Sequence, residues 1–262
     1  MSCSVDMLGF FASRDLDSRL LARNEFVLFQ QESEILGYDV LKRDFGDEYS
    51  FLVLSDTHIE NENPNGLERL KNAVVENDAA FVVFLGDNTQ NGRRQDLQVF
   101  VNIALSLGVP CYPVLGNHDI YFENYPVWKE LVGSSSYRAA AGGTLLLVFD
   151  SANGMAGGMQ LDWIESELKN TSARHIFVFT HTNLFVESMT DIVQWTDNRE
   201  RARLISLLRG RNVFMFSGHV HKRIIREAAG TVFVSMEDYK QHKTYAHVFV
   251  RPEGTSYVFK KL

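Results

Sequence analysis

Cysteine is scarce in this 262-residue chain: Cys3 and Cys111 allow at most one bridge, which excludes a disulfide-stapled scaffold and leaves the redox compartment open. Long apolar runs are missing too. No stretch reaches the roughly 18 residues that a membrane-spanning helix needs. Positive charge is in deficit, with 26 Lys and Arg against 33 Asp and Glu and a net charge of −7. That balance disfavours binding nucleic acid by coating its phosphates, so a nucleic-acid partner is not expected. Internal repeats, low-complexity tracts and a convincing linker are also absent.

What is present is the composition of a globular protein, 45% hydrophobic, 12% aromatic and 23% charged. A chain of this length buries roughly 70–75% of the surface it would expose unfolded. Its core needs no structural metal, so a metal found here is expected to serve function. The expected organisation is one domain over 46–262, preceded by a rim segment over 1–45 that reads as a helix or two. Two localisations stay open. The sequence as given reads as cytoplasmic, whereas a lipidated Cys3 at a mature N-terminus would mean the cell envelope or periplasm.

Short apolar runs recur at Phe51–Leu54, Phe81–Leu85, Tyr112–Leu115, Thr144–Phe149, Ile176–Phe179 and Val213–Phe216, and read as buried strands. Between them, helical spacing marks Leu67–Val75, Leu97–Leu107, Leu161–Leu168 and Arg199–Leu208. This alternation predicts an α/β fold. Beyond Arg223 the runs shorten and crowd, at Ile224–Ile225, Thr231–Val234, Tyr245–Val250 and Tyr257–Phe259, and predict antiparallel strands completing a second sheet.

The chemistry follows the strands. Phe51–Leu54 leads into Asp56 and His58, Phe81–Leu85 into Gly86 and Asp87, Tyr112–Leu115 into Gly116, Asn117, His118 and Asp119. Ile176–Phe179 leads into His181, and Val213–Phe216 into Gly218, His219 and His221. In a layered α/β sheet the carboxyl ends of strands share one edge, so these residues are expected to converge. Three carboxylates, an amide and five imidazoles packed together are costly unless paired, and metal would resolve that cost. Oxygen and nitrogen donors without thiolate suit Mn²⁺, Fe or Zn²⁺. Seven or more donors exceed what one ion takes, which points to two ions sharing a carboxylate.

At these residues the chain resembles the calcineurin-like metallophosphoesterase superfamily, whose blocks D-x-H, G-D, G-N-H-[DE], H and G-H-x-H all occur in order between about residues 50 and 225. The resemblance implies a four-layer α/β/β/α sandwich of two mixed sheets flanked by helices. It implies that Asp56, His58 and His221 hold one ion, that Asn117, His181 and His219 hold the other, and that Asp87 bridges them. It also makes His118 the leaving-group acid or phosphate-contacting residue, oriented by Asp119. Two cations about 3.5–4 Å apart lower the pKa of a bridging water and polarise the phosphoryl oxygens, so attack by a metal-bridging hydroxide on a small phosphate ester is the implied reaction.

Gly142–Ser151 followed by Gly157–Leu168 looks like the branch that contains class III cyclic-nucleotide phosphodiesterases. One departure follows His181, where Thr182 and Asn183 replace that branch's His-Pro-Pro, so nucleotide specificity is not inherited. Phosphodiesters are favoured over monoesters, because only Arg93 and Arg94 could add positive charge from the motif loops, and a solvated loop is their expected role. Tyr121, Phe122 and Tyr125 offer either an apolar wall for an ester group or lid packing. Asn88 either bonds locally or touches substrate. His175, His242 and His247 are assigned to structure or surface. The alternatives are a nuclease and a non-catalytic metal-binding scaffold of the same fold.

Overall fold

The computed structural model describes residues 45–141, 143–185 and 195–262, together with the backbone of 34–35 and 38–39. Strands β1 (Glu34–Ile35) and β2 (Tyr38–Asp39) form a small antiparallel ladder of their own. The helix expected over 1–45 otherwise lies outside the described residues.

A five-stranded sheet has the order β13-β12-β3-β4-β5, with β3 (Tyr49–Leu54), β4 (Ala79–Phe84), β5 (Cys111–Pro113), β12 (Thr244–Arg251) and β13 (Gly254–Lys261). A six-stranded sheet has the order β10-β11-β9-β8-β7-β6, with β6 (Tyr137–Ala141), β7 (Thr144–Val148), β8 (His175–Phe179), β9 (Val213–Ser217), β10 (Ile224–Ala228) and β11 (Thr231–Ser235). Both are mixed: β3, β4 and β5 run parallel, as do β7, β8, β9 and β11, while β6, β10, β12 and β13 pair antiparallel with their neighbours.

The six-stranded sheet is buried on both faces, and alternation decides which residue faces which layer. Leu145, Leu147, Ile176, Val178, Val213 and Met215 pack outward on α4 (Gly157–Asn170) and α5 (Asn198–Leu208). Their neighbours Leu146, Val148, Phe177, Phe179, Phe214 and Phe216 turn inward to the five-stranded sheet. Phe51 of β3 meets Phe177 edge-on across the gap, with ring centres 5.0 Å apart. The far face of the five-stranded sheet is covered by α1 (Leu70–Glu76) and α2 (Arg94–Ser106), the latter through Leu97, Phe100, Val101 and Ala104 at one helical stripe, with α3 (Tyr125–Leu131) packed beside α2. Asp197 starts α5 by accepting the N–H groups of Arg199 at 2.7 Å and Glu200 at 3.2 Å. These are the four layers, helix, sheet, sheet and helix, that the resemblance implies.

The C-terminal strands depart from expectation. They do not complete one sheet: β10 and β11 extend the six-stranded sheet, whereas β12 and β13 cross over to the five-stranded one. The crossing segment carries a short helix, α6 (Tyr239–His242), which ties to the end of β3 through Tyr239 N–H to Ser55 O at 2.8 Å and Lys240 N–H to Asp56 O at 3.2 Å. Alternating apolar strands look alike in sequence, and α6 docks beside the end of β3 just before β12 pairs with it.

His247 of β12 lies in the core, 3% exposed, with no hydrogen-bond partner for either ring nitrogen. Burial, helped by nearby Lys260, pushes its pKa down to about 4. A depressed histidine pKa makes the unfolded chain bind more protons, so stability falls as pH drops from about 6.5 towards 4. His247→Leu is expected to remove on the order of 1–3 kcal/mol of that acid sensitivity while leaving stability at pH 8 little changed. Chemical denaturation at both pH values measures it.

Candidate metal centre

Every sequence-predicted site residue lies just past a strand end, and the loops from both sheets meet. Asp56 N–H donates to Gly86 O at 3.1 Å, His58 N–H to Asp87 O at 2.9 Å and Gly218 N–H to His181 O at 2.8 Å. This packing leaves no room for side chains on the motif glycines. A Cβ on Gly116 would strike the backbone N of Asp87, and one on Gly218 would strike Ser55 Oγ and Asp56 Oδ2. Asp56, His58, Asp87, His219 and His221 all hold left-handed backbone, with φ of 54°, 44°, 49°, 72° and 54°. Such strain in residues other than glycine concentrates at functional sites, and it aims the side chains inward.

Two groups of donors result. Asp56, His58, Asp87 and His221 offer ligand atoms within 4.8 Å of one another, as do Asp87, His181 and His219. In the first, His221 Nε2 lies 3.2 Å from Asp56 Oδ1 and 3.4 Å from His58 Nε2. In the second, His181 Nε2 lies 3.1 Å from His219 Nδ1 and 3.3 Å from Asp87 Oδ1, with Asn117 Oδ1 at 3.1 Å. The oxygens of Asp87 divide between them, since Oδ2 stands 3.9 Å from His58 Nε2. Ligands on a tetrahedral ion sit about 3.4 Å apart for bonds near 2.1 Å, so these spacings fit. Asp56 Oδ1 is buried with no hydrogen bond, an arrangement that a cation would satisfy.

The electrostatics divide the histidines. Burial lowers His58 and His219 to about 4, so both rings are neutral near neutral pH. Burial opposes the charged form of His181 and His221 as well, but Asp87 and Asp56 outweigh it and raise both to about 9. The carboxyls respond in kind: burial would raise them, yet His221 holds Asp56 down to about 2, and His181 and His118 hold Asp87 well below the usual range. Metal ligation needs neutral imidazole. Loading the metal-free protein at pH 7 is therefore expected to release about two more protons per chain than loading well above pH 9, where both imidazoles are already neutral. Calorimetry in buffers of different ionisation enthalpy counts them.

Residues 49–223 match the family model of the calcineurin-like phosphoesterases. The chain belongs to that family. A search of curated protein sequences gives no significant match. Among solved structures, this phosphoesterase is similar to a dimetal phosphatase from Danio rerio, with a TM-score of 0.64 at 13% identity over 80% of this chain and 98% of that one. It is similar to purple acid phosphatase PPD1 from yellow lupin seeds, with a TM-score of 0.66 at 14% identity over 82% and 52% of the two chains. It is also similar to GAP50, the anchor in the inner membrane complex of Plasmodium, with a TM-score of 0.63 at 13% identity over 82% and 85%. At these identities the likeness is one of fold.

The expected hold of Asp119 on His118 is indirect, since none of its hydrogen bonds reaches the imidazole. The Asp119 carboxylate accepts hydrogen bonds from Gly116 N at 3.0 Å, Asn88 N at 3.3 Å and Nδ2 at 2.9 Å, and Thr89 N at 2.9 Å and Oγ1 at 3.0 Å. The 3₁₀ turn at His118–Glu123 sends the two neighbouring side chains in different directions. His118 is held instead by the main chain, with Nδ1 2.7 Å from Gln90 O and its own N–H on Asp87 Oδ1 at 2.9 Å. A carbonyl leaves no signature in sequence, so Gln90 went unnoticed there.

The other candidates sort by contact. Asn88 bonds locally, through Nδ2 to Val114 O at 2.9 Å as well as to Asp119. Arg94 grips the Glu130 carboxylate with both guanidinium nitrogens at 2.8 and 2.5 Å, and Arg93 is exposed where α2 begins. Tyr121 accepts from Asn117 Nδ2 at 3.2 Å, which turns Asn117 Oδ1 towards His181, and its ring stands 4.4 Å from that of His118. Phe122 is 64% exposed, and Tyr125 OH lies 3.4 Å from Ser135 Oγ. Thr182 and Asn183 are buried in loop hydrogen bonds, to Ser151 O at 2.6 Å and Phe185 O at 2.8 Å. His175 and His242 do structural work, beside Thr255 Oγ1 at 3.4 Å and on Asp238 Oδ1 at 2.9 Å. No helix among the described residues is long and apolar enough to cross a membrane.

Proposed function

We propose that this phosphoesterase binds two cations and hydrolyses small phosphodiesters in preference to monoesters. The observation that carries the reading is Asp87, whose two oxygens face different donor groups while His118 Nε2 stands 3.9 Å from Oδ2. Asp56, His58 and His221 would hold one ion, Asn117, His181 and His219 the other, with Asp87 shared. When bound, the ions, of Mn, Fe or Zn type, supply Lewis-acid charge to the phosphoryl oxygens and acidify the attacking water.

The chain supplies the rest. With Nδ1 of His118 donating to Gln90 O, Nε2 is the ring nitrogen turned to the donor groups, and it carries the proton to the departing oxygen. Asp119 acts as a positioning residue, fixing the Asn88–Thr89 turn and with it Gln90. A monoester dianion would profit from extra cationic side chains, but Arg94 is occupied by Glu130. A singly charged diester needs less. Tyr121, packed on His118, gives its ester substituent an apolar surface.

Comparing kcat/KM for bis-p-nitrophenyl phosphate and p-nitrophenyl phosphate at equal metal loading tests the preference. The diester is expected to be the better substrate by about ten-fold or more, the scale of one favourable charge contact. A monoester preference would overturn that choice. Failure to hydrolyse either ester with Mn²⁺, Fe or Zn²⁺ supplied would favour a non-catalytic scaffold.

A further inference from the structure

We propose that Lys240, on the crossover between the sheets, is a positioning residue for His118 and acts through Gln90. The inference rests on the reading of His118 as the proton donor. The imidazole is steered through Nδ1 by the carbonyl of Gln90, so where Gln90 sits decides where Nε2 points. Gln90 follows β4 in a turn outside any helix or strand. The turn is anchored as far as Thr89 by Asp119, and Gln90 N–H donates to Ile59 O at 2.9 Å. Its side chain is gripped from the far side of the site, where Lys240 Nζ donates to Gln90 Oε1 at 2.8 Å.

Lys240 is itself firmly placed. Its N–H is on Asp56 O at 3.2 Å, its carbonyl accepts Lys243 Nζ at 2.7 Å, and Lys243 Nζ also holds Asn65 O at 2.7 Å. Asp238 caps the short helix by accepting Gln241 N–H at 2.9 Å. The ammonium thus springs from backbone fixed to Asp56, a member of the first donor group, and closes a brace from Asp56 through Lys240 and Gln90 to His118. A charge-assisted hydrogen bond in a half-buried setting is stronger than a neutral one, which suits a brace. Proton transfer is sensitive to such placement, because small misalignments of a reacting group cost rate.

The test compares diesters whose leaving groups range from p-nitrophenol to unsubstituted phenol. Lys240→Met is expected to lower kcat for the phenyl ester about five- to ten-fold, the scale of one net hydrogen bond, and to spare the p-nitrophenyl ester. Lys240→Arg should restore most of the loss. In a His118→Asn background Lys240→Met should change nothing further, since it acts only through that ring. In metal-free protein, the imidazole N–H signal that disappears in His118→Asn should shift in Lys240→Met. Equal losses for all leaving groups, or losses additive with His118→Asn, would overturn the proposal. If His118→Asn leaves the leaving-group dependence unchanged, the proton-donor reading fails. The imidazole signal then still decides for Lys240, and an unmoved signal overturns it.

Discussion

Asp87→Asn is expected to deprive both donor groups of stable metal and to lower hydrolysis by more than about 10³-fold, beyond the roughly 10²–10³-fold typical of losing one transition-state contact. The reason is that Asp87 Oδ1 faces His181 while Oδ2 faces His58 and His118, so one substitution touches everything. Asparagine keeps an oxygen for the His118 N–H, which otherwise loses its acceptor. The metal-free fold should survive because His181, without the carboxylate that raises it, can shed its proton, so no buried charge is left stranded. His221→Ala provides the contrast. It touches the first group alone and should lower metal content towards one ion per chain. Elemental analysis beside kinetics separates the two variants, and metal content unchanged in Asp87→Asn would contradict the shared-ligand geometry.

His118→Asn should leave metal content near that of the wild type yet slow turnover of poor leaving groups by about 10²–10⁴-fold, the range of general acid catalysis. The side chain is a neighbour of the donor groups rather than a member of either, with Nε2 3.9 Å from Asp87 Oδ2. Esters of p-nitrophenol need little protonation, and the penalty for them should be small. The discriminating quantity is the slope of log kcat against leaving-group pKa: steeper in the variant if His118 supplies the proton, unchanged if it only contacts phosphate.

Much of this was legible in the sequence because parallel strands buried on both faces read as continuous apolar runs, and each run delivers its donor directly at its carboxyl end. Asp56, His58, Asp87, Asn117, His181, His219 and His221 are all brought together as the motif order implied. Four things were not legible. The left-handed backbone at five of the donors is carried by Asp and His, which adopt it more often than other non-glycine residues yet still in a small minority of cases, so composition gives no warning. The division of the C-terminal strands between sheets is not encoded by the alternation inside β12. The direct hold on His118 comes from the Gln90 carbonyl, distant in sequence, while the adjacent Asp119, the obvious partner by proximity, bonds to Gly116, Asn88 and Thr89. β6 was also missed, since Arg138 and three alanines make a weak apolar run.

The pairing of β3 with β12 bears on how the protein is made. Val53, just before Asp56, lies opposite Ala246, so the strand that starts the site is flanked by one synthesised almost two hundred residues later. Until β12 has emerged from the ribosome, the nascent β3–β4–β5 unit presents an open apolar edge, and Asp56 lacks the crossover that fixes its backbone. Long-range pairing of this kind slows folding and prolongs exposure of sticky intermediates. The donor groups are therefore expected to assemble only once β12 is available, and loss of β12 and β13 would disable chemistry carried by residues far upstream.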